Sequence, residues 1–161
     1  MKGDDGIVRR LNDLLTYELT AADQYLFRAR VLHDQGLGRL AERFQHEHAD
    51  EQHHARRLAD RILFLEGTPD FATRHGLDTS VEVAAMLRHD LAMEHQVVAG
   101  LRDAIALCEN RGDYVSRDLL RGLLTDTEED HVWWLETQLH LIEDLGLANY
   151  LQSVTGGPHE G

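Results

Sequence analysis
A chain of 161 residues is the size of one domain built on a single core, and its formal net charge of -13 argues against a basic, nucleic-acid-binding surface. No apolar run is long enough to span a membrane. The polar start Met1-Lys2-Gly3-Asp4-Asp5 lacks the apolar segment of a secretory signal and the lone Cys108 cannot form an internal disulfide, so the expected compartment is the cytoplasm, with neither nucleic acid nor membrane as a partner.

Asp4 or Asp5 can cap a first helix that runs to about Gly36. Its apolar stripe joins Ile7, Leu11, Leu14, Leu15, Ala22, Leu26 and Ala29. Glu18 lies within that stripe, and Tyr25 follows two turns later on the same face. After a turn at Gly36 and Gly38, a second helix spans about Leu40 to Leu65. Its middle, Gln45 to Arg57, holds little except charge, amide and histidine, and this region carries a good share of the chain's eleven histidines. Glu47, Glu51 and His54 fall on the strip that joins Phe44 to Leu58, so the segment is either exposed or buries its polar residues for a purpose.

Glu66-Gly67-Thr68-Pro69 stops the second helix. The connection from there to about residue 80 exceeds what a tight antiparallel turn needs, and it can cross the full length of a bundle. The second and third helices would then run parallel. Ser80 is the expected cap of a third helix from about Val81 to Asn110, on whose apolar face Glu94 sits seven residues from both Leu87 and Leu101. Gly112 ends it. A fourth helix is expected from Tyr114 to Leu145, lined by Leu120, Leu124, Leu135, Leu139 and Ile142, with Glu128 and His131 between Leu124 and Leu135. Gly146 breaks it, and Leu147 to Val154 can form a short fifth helix. The fold class is all-α: a four-helix bundle over residues 1-154, followed by a flexible tail over 155-161.

The chemistry-bearing pattern is Glu51-Gln52-His53-His54 and its echo Glu128-Glu129-Asp130-His131. Each is a Glu-x-x-His, and residues three apart on a helix point the same way. One such motif alone is usually a solvated helix face. Two of them, joined by Glu18 and Glu94 on separate helices, can hold a pair of metal ions inside a bundle, and this set resembles that of the ferritin-like dimetal carboxylate proteins. Four buried carboxylates would be costly if ionised and unpaired, whereas two divalent cations balance their charge. Carboxylates favour hard ions, and the imidazoles shift the preference toward iron, manganese or zinc. Two Fe(II) ions held together deliver two electrons to one oxygen molecule and avoid a one-electron radical. Tyr25 reads as a packed aromatic that can also donate an electron beside such a site; Trp133 and Trp134 flank the second motif, and Cys108 reads as a small apolar filler.

Further motifs carry a specific resemblance. Met1-Lys2-Gly3-Asp4, Arg61 to Gly67, Asp113 to Asp118, Trp134 to Thr137 and Asn149 to Gln152, together with the ligand set, make the sequence similar to bacterioferritin over nearly its whole length. The resemblance implies a hollow shell of two dozen subunits, built from two-fold dimers, that oxidises Fe(II) with oxygen or peroxide and stores a ferric mineral. It implies two iron ions per subunit. Glu51 and Glu128 match the bridging ligands, Glu18 and His54 complete one iron, and Glu94 and His131 the other. Tyr25 matches the family's oxidisable tyrosine, and His46 and Asp50 match residues that hold an extra iron on the inner surface in some members. One position departs: the methionine that ligates haem b at the dimer two-fold is Gln52 here, and an amide is a poor substitute for a thioether on haem iron. His53 points roughly 100° away from that position. A homodimer is therefore expected to lack ordinary haem b, and the chain fits a mixed shell in which a second subunit type supplies the methionine. Competing readings are an iron-binding container subunit that depends on such a haem-bearing partner for turnover, and a different ferritin-like oxidase; the absence of a Cys-x-x-Cys pair argues against the rubrerythrin form.

Overall fold
The computed structural model describes residues 1-156; the remainder of the expected flexible tail lies outside the described residues. The order of elements is α1 (Asp5–Asp34), α2 (Gly38–Phe64), α3 (Val83–Arg111), α4 (Tyr114–Asp126), a π-helical turn (Thr127–Val132), α5 (Trp133–Leu145) and α6 (Leu147–Ser153). The fold is all-α, with no strand among the described residues. Helices α1 and α2 form one antiparallel hairpin, and α3 with α4–α5 forms the other.

Local chemistry sets the helix ends. The Asp4 carboxylate accepts from the amides of Gly6 at 2.8 Å and Ile7 at 3.1 Å, so Asp4 rather than Asp5 caps α1. Gly112 adopts the left-handed conformation that closes α3. Asp113 then caps α4 through the Ser116 amide at 3.0 Å, while Arg61 of α2 reaches the same carboxylate at 2.9 Å. Ser80 does not cap α3: Glu82 holds that position without a side-chain bond, and the Ser80 hydroxyl donates to Asp78 instead. Leu26 is 40% exposed, because it follows Tyr25 and is turned off the buried stripe. The fourth helix is not one uninterrupted α-helix, since the π-turn widens it where His131 enters the core.

The 65-82 crossover runs along α1 from end to end. Asn12 donates to the Thr68 carbonyl and accepts from the Asp70 amide. Thr20 accepts from the His75 amide, Gln24 clasps the Asp78 backbone by both its donor and its acceptor, and Gln35 donates to the Val81 carbonyl. Arg28 is fully buried and binds the Asp78 and Ser80 carbonyls, the Asp78 carboxylate and the buried Asp90 of α3. Asn12, Thr20, Gln24 and Arg28 are multiples of four apart, so they form one polar stripe beside the apolar one. The stretch from Asn12 to Gln35 covers about 35 Å of helix, which makes α2 and α3 parallel.

The apolar core is divided into two clusters. One gathers Ile7, Leu11, Leu14, Leu58, Ile62, Leu101, Leu120 and Leu123; the other gathers Tyr25, Leu32, Phe44, Met86, Leu87, Leu135 and Tyr150. On every long helix the gap between them falls at a buried polar residue: Glu18, Glu47 to His54, Glu94 and His131. The bundle thus carries a polar layer at one height.

Replacing Arg28 by Leu leaves the buried Asp90 with only the partly exposed His89 beside it, and should cost about 3–5 kcal/mol in guanidinium unfolding. The double replacement Arg28→Leu/Asp90→Leu should recover most of that loss; equal losses in the single and double variants would contradict the assignment.

Candidate metal centre
Five side chains from four segments meet in the polar layer: Glu18 of α1, Glu51 and His54 of α2, Glu94 of α3 and His131 of the π-turn. None is more than 2% exposed. They fall into two ligand sets, Glu18–Glu51–His54 and Glu51–Glu94–His131, whose donor atoms lie within 4.8 Å of one another. His54 Nδ1 stands 3.3 Å from Glu51 Oε2 and 3.6 Å from Glu18 Oε2. His131 Nδ1 stands 2.9 Å from Glu51 Oε1 and 3.4 Å from Glu94 Oε1. Glu51 therefore turns one oxygen to each set, and the two imidazoles lie nearly parallel with centroids 5.8 Å apart.

The donor set fits a pair of cations. Glu18 Oε1, Glu51 Oε2, His54 Nδ1 and His131 Nδ1 are buried with no aligned hydrogen bond, and in protein interiors such orphans point to a ligand. Protons carry the balancing charge when no cation does. Burial first, and the neighbouring Glu51 carboxylate next, push the Glu18 carboxyl up to about 8. Burial opposes a charge on His54, but Glu18 and Glu51 overcome it and lift the imidazole to about 11. His131 is likewise raised, against burial, by Glu51 and Glu94. Burial pushes Glu51 up too, yet its neighbours Glu18 and His131 hold it below the usual carboxylate value.

Tyr25 donates its hydroxyl to Glu94, and burial together with that carboxylate keeps the phenol protonated well above its ordinary range. Its ring meets Phe44, which meets Trp134 edge-on, so an aromatic row leads away from the centre. Trp133 is exposed and stands apart from that row. His46 and Asp50 are 3.3 Å apart on α2. Gln52 and His53 are both exposed on α2.

Glu128 is the one expected ligand that the structure does not bring in. Its carboxylate is partly exposed and paired with Arg102 of α3. A π-turn closes its bonds at i→i+5, so residues three apart no longer share a bearing, and Glu128 diverges from His131. Two neighbours of the centre were not among the expected ligands. Asp126, one turn before the π-segment closes, meets His54 Nε2 at 3.2 Å and fixes that ring from behind. Glu47 meets His131 Nε2 at 2.8 Å; its place on the polar strip between Phe44 and Leu58 was the available signal.

A family model described as a ferritin-like domain matches residues 8-145 of this bundle. The chain belongs to the ferritin-like family, as a bacterioferritin-type member. A bacterial ferritin of Synechocystis is 50% identical over 153 residues, covering 95% of this chain and 98% of the relative. A bacterial ferritin of Pseudomonas aeruginosa is 48% identical over 95% of this chain and 99% of the relative. A bacterioferritin of Brucella melitensis is 41% identical over 94% of each. Similarity of this extent spans the ferritin-like bundle from α1 through α6, not a local motif.

Because Glu51 serves both ligand sets, Glu51→Ala should remove two equivalents of Co(II) binding per subunit. Glu18→Ala should remove one. Anaerobic titration followed by the visible Co(II) bands reads both, and equal losses in the two variants would contradict the shared position of Glu51.

Proposed function
We propose that this ferritin-like chain stores iron and acts as a ferroxidase, taking up two Fe(II) per subunit as substrate and releasing Fe(III) for storage in a shell. The observation that carries the reading is the shared, fully buried Glu51, one oxygen in each ligand set. With Fe(II) in both positions, two electrons leave together for one molecule of oxygen or peroxide. The protein's own groups do the rest. His54, His131 and Glu18 give up their protons as the cations enter. Leu14, Leu58, Phe44 and the neighbouring core close the layer off from bulk water above and below. Tyr25, hydrogen-bonded to Glu94, is placed to supply a further electron. Glu128 completes the set as the second bridge by leaving Arg102, a surface ion pair of little intrinsic worth. His46 and Asp50 hold iron on the inner surface in this reading.

Rapid Fe(II) oxidation, followed by stopped-flow absorbance, should slow at least about tenfold in Glu18→Ala, Glu94→Ala and His131→Ala, an effect of the size expected when a reacting group loses its positioning. Gel filtration should still show the shell. Rapid oxidation in all three variants would show that the centre lies elsewhere.

The proposed shell is built from two-fold dimers in the cytoplasm, as about two dozen subunits. The chain's homodimer does not ligate haem b through position 52, because Gln52 offers no thioether. That fits a mixed shell in which a methionine-bearing subunit holds the haem, and an iron-binding container role within such a shell is the second reading. Expressed with ample haem, the pure chain should show no Soret band, and Gln52→Met should gain one at about one haem per dimer. A strong Soret band in the unaltered chain would overturn the haem reading without touching the ferroxidase one.

A further inference from the structure
We propose that Arg102 is a positioning residue for the paired centre: it holds Glu128 at the solvent edge of the bundle and competes for it with the second cation to enter. The inference rests on the ferroxidase reading above and adds the residue that sets when the fourth carboxylate joins. Arg102 Nη2 donates to Glu128 Oε1 at 2.5 Å, and among the described residues Arg102 is the one ion-pair partner of Glu128. Their side chains are 64% and 39% exposed.

The placement on α3 makes the choice a local one. Glu94, Val98 and Arg102 follow one another at steps of four and form one ridge of that helix. Glu94 and Val98 are buried, whereas Arg102 emerges about 12 Å from Glu94 along the axis. The π-turn packs on α3, with His131 against Glu94 and Glu128 against Arg102. One ridge therefore offers Glu128 a guanidinium at one end and the ligand layer at the other.

The layer itself has no donor that could replace Arg102. Every imidazole nitrogen already faces a carboxylate. His54 turns Nδ1 to Glu18 and Glu51 and Nε2 to Asp126. His131 turns Nδ1 to Glu51 and Glu94 and Nε2 to Glu47. Glu128 brought in among these groups would find no free donor and would add a like charge beside Glu51 and Glu94, which is costly in an apolar interior. Two divalent cations reverse that count. Their four positive charges exceed Glu18, Glu51 and Glu94 by one, and the Glu128 carboxylate cancels it. Glu128 is thus a conditional ligand, and Arg102 sets the threshold at which it moves.

The test is a double-variant cycle on the assembled protein, read by anaerobic Co(II) titration through the visible Co(II) bands. Arg102→Ala should tighten the weaker of the two Co(II) equivalents about two- to fivefold, the range that an exposed ion pair supports. Arg102→Lys should restore the wild-type affinity. In a Glu128→Gln background, Arg102→Ala should change nothing. In about 1 M salt the wild type and Arg102→Ala should converge, because an exposed pair is screened. Equal tightening in the Glu128→Gln background would overturn the proposal, as would two Co(II) equivalents indifferent to Arg102. Metal-free crystals of the wild type should show Glu128 on Arg102; a Glu128 carboxylate turned in to Glu51 and His131 there would also overturn it. A layer that takes up no Co(II) would sink the dimetal reading and this proposal with it, so the two failures are told apart.

Discussion
Carboxylates and imidazoles buried at one height of a helical bundle are the constraint on which this structure depends. Glu18, Glu51 and Glu94 cannot all be ionised in an apolar interior without compensation, and His54 and His131 are the groups that supply it. The charge pattern suits cations: protons balance it without them, and in the proposed function cation binding would be linked to their release. Everything else positions that layer. Two leucine-rich clusters, one on each side, hold the four segments in register and keep water away from the ligands.

The crossover and the π-turn are the less regular parts, and each has a clear mechanical use. The crossover makes many polar contacts along one face of α1, so α1, which carries Glu18, is gripped between the bundle and the strap. The π-turn inserts a wider loop of backbone at Thr127–Val132. It aims His131 inward with both nitrogens engaged and leaves Glu128 at the edge beside Arg102. In the proposed function, Glu128 joins the centre by giving up this partly exposed ion pair.

Much of this was legible in the sequence because helical periodicity converts spacing into direction. Glu18, Glu94 and the strip from Glu47 to His54 interrupt apolar stripes, and the paired Glu-x-x-His motifs with their ferritin-like resemblance point them to one centre. The side chain of Glu128 was not legible, since its direction depends on a π-turn and on Arg102, twenty-six residues away in the chain. Ser80 looked like a cap, yet Arg28 and Asp78 claim it from other elements. The stripe of Asn12, Thr20, Gln24 and Arg28 was present at fourfold spacing, but nothing local says that such a stripe grips a distant loop. Leu26 shows the converse: an apolar residue near a stripe is not on it.

The most direct measurement is the amplitude of the rapid oxidation phase against Fe(II) added to the metal-free shell under oxygen. A centre built on a shared Glu51 should give an amplitude that rises and then breaks sharply at two Fe(II) per subunit, with the phase absent in Glu51→Ala. An amplitude that breaks at one, or rises without a break, or survives the loss of Glu51, would contradict a paired-metal centre in this bundle.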